Sequence, residues 1–242
     1  MRILITNDDG IYAPGVLPLV KWAQTKGEVV VMAPKVEQSA KSHGIEIHKS
    51  FEAKQVDLGP DVTAWAVDST PADCVRLAIL GLHMEFDLVI SGINRGLNIG
   101  RDIMYSGTVS AVFEAGNLGV HAMAVSTSPA YYEHAAENMD KIWDYFVKHD
   151  LFSKNLMYNV NIPTGGSDVF RITRQGGNYY SDRFQPEDND MYLPCGIDVF
   201  TACADSEFDT DAVLSDGVIS VMPLTLDRTD LRLFQALKEQ NI

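Results

Sequence analysis

Residues Arg2 to Gly10 read RILITNDDG, a short apolar run that breaks into Asn7-Asp8-Asp9-Gly10. Apolar residues at successive positions describe a strand covered on both faces, because side chains of a strand alternate between its two sides. The same kind of run returns as EVVVMA (Glu28 to Ala33, stopped by Pro34), FDLVIS (Phe86 to Ser91) and VHAMAVST (Val120 to Thr127). Helical stretches lie between them. Gly15 to Lys26 ends at Gly27, and Thr108 to about Leu118 follows a glycine-rich loop. Glu133 to His149 puts Ala136, Met139, Ile142, Trp143 and Phe146 on one helical face. Ser69 to Asp73 announces a further helix through CVRLAILGL, with Thr70 as N-cap, Pro71 at the first position and Asp73 at the third. Ile45 to Val67 is β-rich, VTAWAV being its clearest part.

Buried strands alternating with helices predict an α/β fold, a doubly wound, mostly parallel Rossmann-like sheet. After Pro163-Thr164-Gly165-Gly166 the rhythm changes. Residues 167–222 hold strand-like pieces among acidic stretches, and Thr229 to Glu239 reads as a last helix. The expectation is an α/β core over 1–163, which binds metal and phosphate. A β-rich C-terminal extension over 164–242 would serve assembly and the rim of the site.

With 19 Lys and Arg against 33 Asp and Glu in 242 residues, the formal charge is −14, and no basic run breaks it. Nucleic-acid duplexes and anionic membranes are therefore poor partners, since neutralising phosphates takes clustered cations. No apolar run reaches the roughly 18 residues of a membrane span. Asp8 and Asp9 interrupt the N-terminus before a secretory leader could form. Cys74, Cys195 and Cys203 lack paired spacing, so neither a disulfide framework nor a thiolate zinc site is expected. The expected address is cytoplasmic. If a small anion binds so acidic a chain, backbone N–H groups or a metal ion must supply the local positive field.

Ligands of open parallel sheets gather at the carboxyl ends of the strands. NDDG stands there after the first strand, and APKVEQSA (Ala33 to Ala40) after the second. SGINRGLNIGRD (Ser91 to Asp102) follows FDLVIS and runs on to YSGT (Tyr105 to Thr108). Asp8 and Asp9 converge only if the chain turns between them, as Gly10 allows. They then either hold Mg²⁺ or Mn²⁺ through oxygen, or serve as ordinary turn and capping residues. Ser106-Gly107-Thr108 opens an apolar helix with hydroxyls and free N–H groups, a phosphate nest, unless the glycines only permit tight turns. Neither G-x-G-x-x-G nor G-x-x-x-x-G-K-[ST] is present, so a dinucleotide site and a P-loop are unsupported. A cation beside an anion nest describes metal-assisted phosphoryl chemistry.

These motifs carry a resemblance. ILITNDDG-x-x-A-P-G, A-P-x-x-x-Q-S-A, V-D-S-T-P-A-D-C-V, S-G-I-N-x-G-x-N-x-G and Y-S-G-T-V-S-A, in this order over residues 1–128, resemble the SurE family, the survival protein E nucleotidases. D-T-D-A-V-x-x-x-G-V-I-S-V-M-P-L (Asp209 to Leu224) is similar to that family's C-terminal signature, whereas residues 174–206 depart from its pattern. The resemblance implies a metal-dependent phosphomonoesterase acting on nucleoside 5′- and often 3′-monophosphates, with some members trimming short polyphosphate. It implies one divalent ion per subunit (Mg²⁺ or Mn²⁺) on Asp8, Asp9, Ser39 and Asn94. Phosphate contacts would fall on Asn98, Ser106, Gly107 and Thr108, and the assembly would be a homodimer or homotetramer with C-terminal segments packed between subunits.

Read chemically, Asp8 and Asp9 anchor the ion, and Asp9 orients or deprotonates the attacking water. His43 is the candidate leaving-group acid, its alternative being a plain surface residue. A polyphosphatase or broad phosphatase, and a sensor that binds nucleotide without turning it over, are the other functions this pattern permits. Trp22, Trp65 and Trp143 fit packing roles, Cys74 a buried helix position, and Asp188-Asn189-Asp190 a solvated loop.

Overall fold

Ile3 to Ile5 and Val29 to Val31 are buried at every position, and they lie side by side as parallel strands. The computed structural model describes residues 1–204 and 206–240. Its first half runs β1 (Arg2–Thr6), α1 (Val16–Gln24), β2 (Glu28–Pro34), β3 (Ala53–Val56), β4 (Thr63–Val67), α2 (Pro71–Arg76) and β5 (Leu88–Arg95). Next come α3 (Gly107–Asn117), β6 (His121–Thr127), α4 (Met139–Lys148), α5 (Leu151–Lys154) and β7 (Met157–Ile162). The remainder is β8 (Phe170–Ile172), β9 (Tyr180–Pro186), β10 (Tyr192–Asp198), α6 (Asp209–Leu214), β11 (Ile219–Pro223) and α7 (Leu231–Glu239).

Nine strands share one sheet in the order β3-β4-β2-β1-β5-β6-β7-β11-β8. From β4 through β7 all neighbours are parallel. β3 is antiparallel to β4, and β11 is antiparallel to β7. Alternation along each strand builds two cores. Ile3, Ile5, Val29 and Val31 face α1 and α4, packing with Leu19, Ile142 and Phe146. Leu4, Val30 and Val89 face α2 and α3, packing with Val75, Val109 and Val112. The doubly wound, mostly parallel architecture expected from the sequence is the one observed.

Four details differ from the sequence reading. Ile45 to Val67 is β only over Ala53–Val56 and Thr63–Val67; residues 45–52 are irregular, and Ile47 is 70% exposed. Its apolar-polar alternation therefore faces solvent, with no sheet to join. Glu133 to His149 is not one helix: a 3-10 segment (Tyr132–Asn138) precedes α4. The sequence pattern marks no strand at β7, because its two asparagines interrupt the apolar run. The change of rhythm at residue 163 is not a break in the sheet, since β8 and β11 from the extension complete it. Residues 205, 241 and 242 of that extension lie outside the described residues.

β9 and β10 form a separate antiparallel hairpin whose exposed turn carries Asp188, Asn189 and Asp190. Trp22 is buried, Trp65 and Trp143 pack against the two cores, and Cys74 is fully buried in α2. No described helix is long and apolar enough to cross a membrane.

α2 starts as its sequence dictates. The Thr70 hydroxyl accepts a hydrogen bond from the Asp73 N–H at 3.1 Å, with Pro71 at the first helical position. Thr70→Ala removes that cap and is expected to cost about 1 kcal/mol, read from urea unfolding.

Candidate active site

The chain leaves β1 for β2 on one side of the sheet, while β5 takes the other, so the carboxyl ends of β1 and β5 flank a topological switch point. Asn7 shapes the turn there. Its side-chain amide donates to the Gly10 carbonyl at 2.9 Å, and its Oδ1 accepts the Gly10 N–H at 3.2 Å. That tight turn brings the adjacent carboxylates Asp8 and Asp9 to one place. Asp8 is 4% exposed, accepts the Thr108 hydroxyl, and its carbonyl takes the Gln38 N–H at 2.7 Å. Asp9 Oδ2 accepts the Arg95 N–H at 3.0 Å.

Both carboxyls are less acidic than usual. Burial raises Asp8 to about 6, the Thr108 hydroxyl opposing and the charge of Asp9 adding to the rise. Burial also raises Asp9, with the Arg95 N–H opposing it and Glu37 pushing the same way. Two like charges side by side, poorly hydrated, are a site that gains by taking up positive charge.

One cavity of about 400 Å³ is lined by Asp8, Asp9, Ser39, Asn94, Asn98 and Ser106. Sequence separations of up to about a hundred residues are closed here by the sheet. Ser39 is exposed, its hydroxyl donating to Glu37 at 2.6 Å. Asn94 spends its amide N–H on the Gly96 carbonyl at 2.8 Å, which leaves its Oδ1 as the free end. Ser106 caps α3, accepting the Val109 N–H at 3.0 Å.

Gly107 and Thr108 sit behind the lining. A Cβ on Gly107 would lie 2.8 Å from the Asp8 Cβ, so the helix start reaches the aspartate only because this residue is glycine. Thr108 is fully buried with its hydroxyl turned to Asp8. His43 is outside the cavity. Its Nε2 lies 2.9 Å from Glu114, which also receives Arg76 at 2.9 Å, and its ring stacks near Phe113. Contrary to the expectation of a leaving-group acid, His43 ties its loop to α3.

Comparison with known proteins adds the relationship. The family described as Survival protein SurE matches residues 3–182. This chain belongs to the SurE family. It is 38% identical to the 5′-nucleotidase SurE of Alkaliphilus metalliredigens over 255 residues, covering 100% of this chain and 99% of the relative. It is equally 38% identical to the 5′-nucleotidase SurE of Desulforudis audaxviator over 250 residues, covering 99% and 97%. The crystal structure of the SurE protein from Aquifex aeolicus superposes with a TM-score of 0.82 at 30% identity, covering 100% of both chains.

Within this SurE chain, the donors suit a hard cation. No three His, Cys, Asp or Glu side chains gather for a metal among the described residues. An ion at the switch point could rest on the two carboxylates plus neutral oxygens such as Ser39 and Asn94, a donor set that suits Mg²⁺ or Mn²⁺. The adjacent, largely buried Asp8 and half-buried Asp9 carboxyls are the observation that fits it.

Sequence reasoning missed the groups that hold Asn98 in place. The Asn98 carbonyl accepts the side chains of Asn159 at 2.7 Å and Asn161 at 3.0 Å, and Asn161 Oδ1 accepts the Asn98 N–H at 2.8 Å. Asn98 Nδ2 donates to the Ser126 hydroxyl at 2.8 Å. Asp209, fully buried, accepts the N–H groups of Gly100 at 3.0 Å and Gly176 at 2.7 Å. Asn159 and Asn161 share one face of a buried strand, and that period of two in MYNVNI was the available signal.

A raised carboxyl means that the folded chain binds the proton more tightly than the unfolded chain. Ionised Asp8 therefore opposes folding above its value of about 6, on the order of 3 kcal/mol, and the penalty fades as pH falls towards 3.8. In metal-free protein, Asp8→Asn is expected to be the more stable form at pH 8. Urea unfolding should show that advantage shrinking between pH 6 and 4.

Proposed function

We propose that this chain is a divalent-metal-dependent phosphomonoesterase that releases phosphate from nucleoside 5′-monophosphates, and from 3′-monophosphates as well. The observation that carries this reading is the single cavity shared by Asp8, Asp9, Ser39, Asn94, Asn98 and Ser106. The nucleotidase names of its full-length relatives support it.

Asp8, Asp9, Ser39 and Asn94 would hold one Mg²⁺ or Mn²⁺ per chain. When bound, such an ion neutralises the phosphate charge and polarises the phosphorus centre. Asn98, Ser106 and the backbone N–H groups of Gly107 and Thr108 then hold the phosphate oxygens at the positive end of α3. The Asn159-Asn161 pair keeps Asn98 from drifting, and Asp209 keeps the glycine loop closed over the sheet. Asp9, which faces the cavity and is less acidic than usual, orients the attacking water and takes its proton.

The decisive assay is phosphate release by metal-stripped protein given Mn²⁺ or Mg²⁺ and a panel of 5′- and 3′-monophosphates and short polyphosphate. Metal-dependent release from nucleotides is expected. Binding without release would favour the sensor, and preference for polyphosphate the broader phosphatase. Asp9→Asn is expected to lower kcat about 10²-fold or more with bound metal retained; near-wild-type turnover would remove Asp9 from the role.

The assembly we propose is a homodimer or homotetramer built on the extension. α7 buries none of its residues and leaves Leu231, Phe234 and Leu237 exposed on one side, while the β9-β10 hairpin exposes Phe184, Tyr192 and Leu193. Apolar area of this kind calls for a partner surface. Phe234→Glu with Leu237→Glu is expected to reduce the mass measured by light scattering to that of a single chain. A cytoplasmic address accords with three free cysteines, two of them exposed.

A further inference from the structure

Cleaving a phosphate ester leaves an alkoxide unless something delivers a proton, and in the proposed function the Asp8-Asp9 pair and the phosphate nest already have other roles. Those groups deal with the water and the phosphate oxygens. His43, the obvious histidine, is engaged with Glu114. The cavity lining contains four carboxyls, those of Asp8, Asp9, Glu37 and Asp102. Glu37 accepts the Ser39 hydroxyl, and Asp9 accepts the Arg95 N–H. Arg95 is the one cation in that lining, and a guanidinium does not release its proton at working pH.

Asp102 differs from the others in its place and its neighbours. It rides on the 3-10 turn Gly100–Tyr105, the short bridge between Asn98 and the Ser106 cap of α3. Any phosphate held by those two residues is therefore flanked by this turn. The turn is fixed from behind. Gly100, with φ of +57°, would meet the Gly177 carbonyl at 2.2 Å if it carried a Cβ, and Gln175 donates to the Gly100 carbonyl at 3.0 Å. Tyr179 stands beside Asp102, with its hydroxyl 3.4 Å from the Leu97 carbonyl.

Resting on the phosphomonoesterase reading, we propose that Asp102 is the general acid that protonates the leaving oxygen. In the step, the water oxygen forms the new bond to phosphorus and loses one proton to Asp9. The ester P–O bond breaks, its electron pair stays on the leaving oxygen, and that oxygen takes the proton of Asp102. Alcohol and phosphate depart, Asp9 returns its proton to solvent, and Asp102 regains one.

The surroundings of Asp102 favour its protonated form more than those of an exposed aspartate would. Burial raises its carboxyl above the ordinary range, the charge of Asp182 adds to the rise, and the Tyr179 hydroxyl opposes it. Asp182 belongs to β9 and Tyr179 precedes it, so the extension faces Asp102 on one side. Asp8, Asp9, Glu37 and Arg95 face it across the cavity. A general acid works below its own pKa, so its contribution falls as pH rises through the raised value.

The test compares two leaving groups on the metal-loaded enzyme. Adenosine 5′-monophosphate expels an alkoxide that needs a proton; p-nitrophenyl phosphate expels a phenolate that does not. Asp102→Asn is expected to lower kcat for the nucleotide about 10²-fold and to raise the p-nitrophenyl-to-nucleotide kcat ratio at least about 30-fold. The falling alkaline side of its nucleotide pH profile should flatten. An equal loss with both substrates would overturn the assignment, as would no loss with either. If the wild type releases phosphate from neither, the phosphomonoesterase reading itself fails and takes this one with it. Asp102→Ser, on the same partly exposed turn, repeats the comparison should the amide variant not fold.

Discussion

Two neighbouring carboxylates, Asp8 and Asp9, are held together with too little water around them. Each would relax by turning outward, and the structure prevents it. Asn7 locks the turn from below, Thr108 holds Asp8 from α3, and the Arg95 N–H holds Asp9 from β5. Repulsion between like charges is thus opposed by donors from three separate parts of the chain. The absence of a side chain at Gly107 lets the third helix come close enough to contribute. An acidic protein has little general attraction for phosphate. Negative charge concentrated at one point would, under the proposed function, recruit a doubly charged ion and so reverse the sign of the field locally.

The sheet makes that concentration possible at modest cost. Its strands end together at the switch point, so short loops from β1, β2 and β5 meet without any of them crossing the molecule. A second tier of amides and one buried carboxylate then fixes the loop that carries Asn98. Asn159, Asn161 and Asp209 touch backbone groups of residues 98 and 100, which transmits the rigidity of β7 and α6 to the site. Buried amides of this kind are expensive unless satisfied; the Asn98 backbone pairs with both ends of the Asn161 amide and with the Asn159 Nδ2, while Asn159 Oδ1 has no partner among the described residues.

What could be read in advance follows from where burial is strongest. β1, β2, β5 and β6 are buried at nearly every position and each carries an apolar run, so they stand out against any background. The α2 start was equally legible, because Thr70, Pro71 and Asp73 each have a defined local role. Residues 45–52 misled because alternation alone cannot tell a strand from an irregular segment that happens to alternate. The hairpin β9-β10 left little trace, since nearly all its residues are exposed and no face repeats. In the site, contiguous motifs announced Asp8, Asp9 and the Ser106 cap. Asn159, Asn161, Tyr179 and Asp209 act through contacts made across the fold, and a linear sequence carries no sign of which distant backbone group a side chain will meet.

The place of β11 has a consequence for synthesis. It lies between β7 and β8, although it is made some sixty residues after β7, and the sheet cannot be completed until it emerges. While the ribosome is still extending the chain, β7 offers an open hydrogen-bonding edge, and both cores still lack their β11 residues Ile219, Val221 and Met222. Such an edge is a template for the wrong neighbour, including another nascent copy. The order of the strands therefore makes β11 and its neighbours the latch on folding, and the Asn98 loop, anchored on β7, is finished last.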